Sequence, residues 1–207
     1  MAAVTPDPKK IKSFTSLAAF ERWLRANHAR ESELWLRIYK KDSGVKTITH
    51  AEAIDAVLCW GWIDGLRKGY DEQSFLQRFT PRKARSTWSQ VNRKHVARLT
   101  AAGRMTAHGQ KHIDAAKADG RWQVAYAPQR EVTPANLPQD LRTAIAASAR
   151  AKKALATLPR RDLFALGFRV NNMKTPAGRA KKVAELVAKL ERGEPIAQTR
   201  PARVTST

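Results

Sequence analysis

A proline-punctuated segment, residues 127–138, divides this chain into two parts with different apolar patterns. It carries Pro128, Pro134 and Pro138 and has little periodic apolar content, which is typical of a linker. All six tryptophans precede it, so we expect the main hydrophobic core in the first part. The length of 207 residues fits one domain with a helical appendage and excludes a large multidomain enzyme.

The part before this linker mixes two apolar periods. Alternation with a period of two predicts three strands, at Leu34–Tyr39, Trp62–Lys68 and Ser74–Phe79, and the last two flank a hairpin turn. Helical spacing predicts four helices around these strands. Their predicted starts are Leu17, the capping box Thr49–Glu52, Trp88 and Thr106. The third helix is expected to carry an apolar stripe of Trp88, Val91, His95 and Leu99.

The part after the linker has helical periodicity throughout. Its last helix is bracketed by Thr175 as N-cap, Pro176 in the first turn and Gly193 just past the end. The two parts together predict an α+β fold, with a small antiparallel sheet of about three strands flanked by helices and an all-helical segment after it. The expected division is a core domain at 14–126, the linker at 127–138, a helical segment at 139–196, and flexible tails at 1–13 and 197–207.

Positive charge is the strongest compositional signal. The formal net charge is +21, and no acidic residue lies between Glu72 and Asp114. Nine cations fall in that interval: Arg78, Arg82, Lys83, Arg85, Arg93, Lys94, Arg98, Arg104 and Lys111. A second acid-free stretch, 141–161, is also basic. Such runs are typical of surfaces that neutralise phosphates, and the alternative is a solvated basic surface without a partner.

From the first stretch we take six candidate anion-binding residues: Arg78, Arg82, Lys83, Arg85, Arg93 and Lys94. Phe79 and Trp88 lie among them, as stacking platforms for single-stranded bases would, although core packing is the favoured interpretation of both. The chain has no zinc-finger spacing, no aromatic signature of an RNA-recognition fold and no glycine-rich phosphate loop. The expected partners are therefore nucleic acid, another polyanion, or a phosphorylated small molecule, without sequence-specific reading of DNA.

Asp64 is the one weak candidate for a catalytic residue. It lies in a Trp62-Ile63-Asp64-Gly65 segment, where Trp60, Trp62 and Trp88 could wall a pocket and Arg78 and Arg82 could orient an anionic substrate. An enzyme of this kind is the alternative to a binding protein. The favoured interpretation of Asp64 is structural, as a partner of Arg78 or a cap of the hairpin.

Other reactive side chains give no strong site. His108 and His112 have the spacing of two zinc ligands on one helix face, but no third ligand or catalytic glutamate accompanies them, so a solvated face is favoured. Cys59, between Leu58 and Trp60, is expected to be an inert buried thiol. We therefore predict no metal and no cofactor.

Three features of the sequence predict where in the cell the protein is located. The single cysteine excludes an internal disulfide, and residues 1–14 have no apolar stretch of signal-peptide length. The longest apolar run, 56–63, is far shorter than the roughly 20 residues that a membrane span needs. These features predict a soluble, cytoplasmic protein; the oligomeric state is left open.

Ordered motifs give the chain a resemblance to one family. They are Leu58-Cys59-Trp60-Gly61-Trp62-Ile63-Asp64-Gly65, Gln77-Arg78-Phe79-Thr80-Pro81-Arg82, Ser86-Thr87-Trp88-Ser89-Gln90-Val91-Asn92, Gly120-Arg121-Trp122, and Arg179 ahead of Lys181-Lys182-Val183. Over about 14–196 the chain resembles the YdeI/OmpD-associated proteins. The resemblance implies a bacteriocin-protection protein linked with resistance to cationic antimicrobial peptides, with no reaction, cofactor or catalytic residue to transfer. Because a +21 protein repels cationic peptides, we expect a non-enzymatic accessory that binds an anionic partner rather than one that sequesters the peptides.

Overall fold

A four-stranded sheet lies at the centre of the amino-terminal unit in the computed structural model, which describes residues 4–197. Its strands are β1 (Ile11–Lys12), β2 (Leu34–Tyr39), β3 (Trp62–Gly69) and β4 (Ser74–Pro81). Their order is β1-β2-β4-β3, with β4 antiparallel to both of its neighbours. The three predicted strands and the α+β class are confirmed.

The short strand β1 was not predicted. It pairs in parallel with β2, Ile11 opposite Trp35 and Lys12 opposite Leu36, and so makes the sheet mixed rather than purely antiparallel. It comes from the segment expected to be a flexible tail. Two residues are too few to show an alternating pattern, which explains why the sequence gives no sign of this strand.

Four helices accompany the sheet, and each begins at a hydroxyl cap. They are α1 (Leu17–Asn27), α2 (His50–Cys59), α3 (Gln90–Ala101) and α4 (Ala107–Ala118), capped by Ser16, Thr49, Ser89 and Thr106. The predicted capping box of α2 is confirmed, because the Thr49 hydroxyl accepts from Glu52 N at 3.2 Å and the Glu52 carboxylate accepts from Thr49 N at 2.7 Å. These local signals are why the helix starts were predictable from the sequence.

Trp88 precedes α3 instead of lying on it, which corrects the predicted stripe. The Ser89 hydroxyl accepts from Asn92 N at 3.0 Å, so Ser89 is the N-cap and the helix begins at Gln90 instead of Trp88. The buried face of α3 is consequently Asn92, Val96 and Leu99. Trp88 is itself only 2% exposed and packs into the same core from the preceding loop.

Helix α2 is the centre of the amino-terminal core. All its residues from Ala53 to Cys59 are buried, and it packs against α1, α3, α4 and β3. It comes close to α4 at Gly109, where an added Cβ would lie 2.8 Å from Leu58 O and 2.7 Å from Met105 Sδ, and closer still to Cys59 O. Glycine at 109 therefore allows the backbones of α2 and α4 to approach each other.

The carboxy-terminal unit, which the chain enters at Tyr126, is helical as predicted. It contains α5 (Gln139–Ala146), α6 (Ala149–Ala156), α7 (Arg160–Asn171) and α8 (Pro176–Glu191), around a core of its own. The cap at Thr175 and the left-handed Gly193, with φ +67°, bracket α8 as expected. Two 3-10 turns, Gln129–Glu131 and Pro134–Asn136, lie in the segment predicted as a linker.

The predicted tail from 197 onward lies outside the described residues except for Ala197. Its backbone N–H donates to the buried Asp162 carboxylate at 2.6 Å. Within residues 4–197, none of the helices combines the length and the apolar character needed to traverse a bilayer.

Candidate functional site

Three cations of the long acid-free stretch are neutralised by acids from other elements. Arg78 pairs with Glu33 at 2.7 Å, Arg98 with Asp55 at 2.6 Å, and Arg104 with Glu21 at 3.0 Å. Each acid lies 43 or more residues from its partner in sequence, so the pairing comes from the fold. Arg78 is thus held as a structural ion pair.

Arg82 is used inside the amino-terminal unit. It is 5% exposed, and its guanidinium carbon lies 3.5 Å from the centroid of the Trp88 ring. The same guanidinium donates to Thr87 O at 3.2 Å, and the backbone N–H of Arg82 donates to Gly61 O at 2.9 Å. These contacts fix the path of the chain between β4 and α3.

Arg93 and Lys94, the last two of the six candidates, line a groove. The groove has a volume of about 390 Å³ and is bounded by Gln90, Arg93, Lys94, Ala97 and Trp122; we call it the α3 groove. The first four residues lie three or four positions apart along α3 and so share one side of the helix. Among the described residues neither Arg93 nor Lys94 has an acidic partner, which leaves two positive charges at the groove.

Trp122 supplies the aromatic wall of the α3 groove. Its backbone N–H donates to Ala116 O at 2.9 Å, and its ring meets that of Trp88 edge to face, with centroids 4.9 Å apart. The turn before it has the left-handed Gly120, with φ +79°. Trp122 is half-buried, so its indole is anchored on one side and lines the groove on another.

Arg82, Trp88, Trp122 and Arg93 form a continuous chain of contacts. Arg82 lies over Trp88, Trp88 contacts Trp122, and the Arg93 guanidinium carbon lies 5.3 Å from the Trp122 centroid. Lys117 Nζ lies 5.8 Å from the same ring. Because cations are attracted to the faces of aromatic rings, this chain of contacts holds positive charge beside an aromatic surface.

The remaining candidates and their neighbours extend the positive surface. Lys83 and Arg85 are exposed on the connection between β4 and α3. Arg121 donates to Ser86 O at 2.7 Å and to the Asp119 carboxylate at 2.7 Å. The hydrogen bond to Asp119, together with the nearby charge of Arg85, holds the pKa of Asp119 below its usual range. Asp119 is the local acid that partly offsets this positive charge.

The sequence did not single out Trp122 as a functional residue. It appeared only within the motif Gly120-Arg121-Trp122, and it lies outside the acid-free stretch, 28 residues after Lys94 in the sequence. Arg93 and Lys94 were candidates from the sequence, but their aromatic partner is set by packing against Trp88. The two aromatics considered for stacking, Phe79 and Trp88, are 0% and 2% exposed, as the core interpretation predicted.

The structure places the residues considered for a pocket around Asp64 in different environments. Asp64 is exposed and pairs across the sheet with Phe79, so its side chain and that of the adjacent Arg78 start from opposite faces. Arg78 is bound to Glu33 instead of Asp64. Trp62, one proposed wall, is 1% exposed and donates its indole N–H to His28 O at 3.0 Å.

The two histidines of α4 differ in exposure: His108 is exposed, as expected for a solvated face, whereas His112 is partly buried. The His108 ring lies 4.0 Å from that of His28 and 5.8 Å from that of Trp60, while the His112 ring abuts Gly61. Burial lowers the pKa of His112, and the positive charges of Arg82, Lys111 and Arg121 lower it further. Within residues 4–197, no cluster of three or more His, Cys, Asp and Glu side chains has the arrangement of a metal site.

Two buried groups on α2 differ in their chemistry. Burial raises the pKa of the Cys59 thiol to about 11, which agrees with an inert thiol. Asp55, 9% exposed, accepts from His95 at 2.8 Å and from Arg98 at 2.6 Å; burial alone would raise its pKa, but these hydrogen bonds keep it below its usual range. This link, which ties α2 to α3, was not predicted from the sequence.

Comparisons with known families divide the chain in two. Residues 12–112 match a domain of unknown function, DUF8412. Residues 134–193 match the family described as Bacteriocin-protection, YdeI or OmpD-Associated. No match was found among curated proteins or among solved structures.

The two matches cover the motifs that carried the resemblance except Gly120-Arg121-Trp122, which lies between them. The tryptophan-rich motifs between Leu58 and Asn92 lie within the first match, and Arg179 and Gly193 lie within the second. The resemblance is therefore confirmed for the carboxy-terminal helices, where residues 134–193 match the model of the family described as Bacteriocin-protection, YdeI or OmpD-Associated.

Proposed function

We propose that this protein is a non-enzymatic cytoplasmic accessory in stress or antimicrobial resistance, and that it binds an anionic partner through the α3 groove. The partner is nucleic acid or another phosphorylated ligand. The observation that carries the proposal is the placement of Arg93 and Lys94, which have no acidic partner among the described residues, beside the half-buried Trp122. The family match, whose description names bacteriocin protection, supports the accessory role.

The physical basis of binding is charge. Of the six candidate residues, Arg78 is occupied by Glu33 and Arg82 is buried, whereas Lys83, Arg85, Arg93 and Lys94 remain for a ligand. Each phosphate that such a cation neutralises releases condensed counterions from a nucleic acid, and this release favours binding most at low salt. Arginine adds a two-point hydrogen bond to phosphate oxygens.

The second basic stretch is a weaker candidate. Arg150, Lys152 and Lys153 are exposed on or beside α6, where they could also attract a polyanion. The aromatic cluster of the same unit, Tyr126 with Phe164 and Phe168, lies on α7 and at the unit's start, not on α6. The α3 groove is favoured because it joins free cations to an aromatic wall.

The test reverses the two groove charges. We expect Arg93→Glu with Lys94→Glu to weaken binding of a fluorescent 20-nucleotide single strand by at least about tenfold, measured by fluorescence polarisation at low salt. The matched control is Arg22→Glu with Arg25→Glu, which makes the same change of charge at two exposed positions of α1. Equal losses in the two double variants would show that general charge, and not the groove, binds the ligand, and would overturn the proposal.

A further inference from the structure

Trp122 lines the α3 groove with an aromatic ring, which the binding of an anion by charge alone would not need. A site for simple polyanions requires only cations, yet this groove includes an indole ring fixed from behind by Trp88. Trp122 is half-buried, and its ring is held at the wall of the groove beside the positive side chains of Arg93 and Lys117. The ligand class that uses both features has flat aromatic groups alternating with phosphates.

We infer that the α3 groove binds single-stranded nucleic acid, with one base stacked on Trp122 and the neighbouring phosphates on Arg93 and Lys94. This inference rests on the proposed function and narrows it to one ligand class. Proteins that bind single strands without sequence preference combine a basic groove with aromatic stacking platforms in this way.

The geometry favours a single strand over a duplex. In a duplex each base face is covered by the neighbouring base pairs, so Trp122 would have no face to stack on. In a single strand the bases can be splayed out onto an aromatic side chain. The half-buried indole contacts Trp88, and the backbone N–H of Trp122 donates to Ala116 O, so the ring is already positioned for that contact.

Arg93 does not prevent a base from stacking on Trp122. Its guanidinium carbon is 5.3 Å from the Trp122 centroid, a distance at the outer part of the cation–π range. An exposed cation–π contact is weaker than base stacking on an aromatic side chain. A base can therefore take the ring face while Arg93 moves to the adjacent phosphate.

The experiment compares ligands of equal charge that differ in their bases. The probes are a fluorescent 12-nucleotide thymidine strand, an abasic strand with the same number of phosphates, and heparin as competitor. For the wild-type protein we expect the thymidine strand to bind about tenfold more tightly than the abasic strand. Trp122→Ala should bind both strands equally, and Trp122→Phe, which keeps an aromatic face, should retain most of the preference.

The possible failures are distinguishable. If the wild-type protein binds neither strand nor heparin, the proposed function itself fails. If it binds both strands equally, and reversal of Arg93 and Lys94 abolishes both interactions, anion binding stands but stacking on Trp122 is overturned. Should Trp122→Ala fail to fold, as judged by circular dichroism, the strand preference of the wild-type protein and of Trp122→Phe still decides the question.

Discussion

Among single residues, His112 is placed so that the free energy of unfolding depends on pH with a definite sign. The pKa of His112 is lowered by burial against Gly61 and by Arg82, Lys111 and Arg121. The unfolded chain gains a proton at this position below about pH 6.5, while the folded protein resists it. Stability is therefore lost as the pH falls from 7 through the lowered pKa of the folded state.

The variant His112→Gln removes this titration. We expect its free energy of unfolding, from urea titrations, to decline less than that of the wild-type protein between pH 8 and pH 5. At pH 8 the imidazole is neutral in both states, so the difference there measures packing alone. Parallel declines for the two proteins would contradict the role assigned to His112.

The sequence predicts single residues well where their partners are local. The helix starts near Leu17, Thr49 and Thr106 were predicted, and in the structure the cap of each helix bonds to a backbone group three residues on. The partners of Arg78 and Arg98 could not be predicted, since Glu33 and Asp55 reach them only through sheet pairing and helix packing. The same reason explains why Trp122 was missed.

At the scale of elements, the approach of α2 to α4 depends on Gly109. A methyl group there would collide with Cys59 O, Leu58 O and Met105 Sδ, and two of these atoms belong to the backbone, which cannot move aside cheaply. We expect Gly109→Ala to destabilise the amino-terminal unit by about 1–3 kcal/mol. The measurement is urea unfolding followed by tryptophan fluorescence, because all six tryptophans lie in this unit.

A second helical glycine provides the control. A Cβ at Gly167 of α7 would meet Leu137 and Pro138 at 3.5 and 3.7 Å, which is ordinary van der Waals contact. Gly167→Ala should therefore be neutral or stabilise α7 by up to about 1 kcal/mol, followed by circular dichroism. A neutral Gly109→Ala variant would show that α2 and α4 are not packed as described.

Elements with their own periodicity were predictable, and those that depend on neighbours were not. β2, β3 and β4 follow from alternation, and α8 follows from its cap and terminal glycine. The strand β1 exists because β2 offers it an edge, and α3 starts after Trp88 because Ser89 takes the cap. In both cases a contact between residues decides the boundary, and the pattern along the chain does not.

At the scale of the whole molecule, the net charge of +21 attracts polyanions to both units, so affinity alone does not locate the binding site. The unit that starts at Tyr126 has exposed cations on α6, and the unit before it has the α3 groove. Binding is assigned to the groove because there, and not on α6, a half-buried tryptophan accompanies two cations that have no acidic partner among the described residues. A measurement that maps contacts is therefore more decisive than one that measures affinity.

The most direct test is photocrosslinking of the wild-type protein to a single strand that contains 4-thiothymidine, with the crosslinked tryptic peptides identified by mass spectrometry. The account predicts crosslinks in the peptide 122–130, which begins with Trp122, and in peptides from Gln90–Ala101. Excess unlabelled strand should remove these crosslinks. Crosslinks confined to residues 141–161 would place the binding surface on the carboxy-terminal helices and contradict the account.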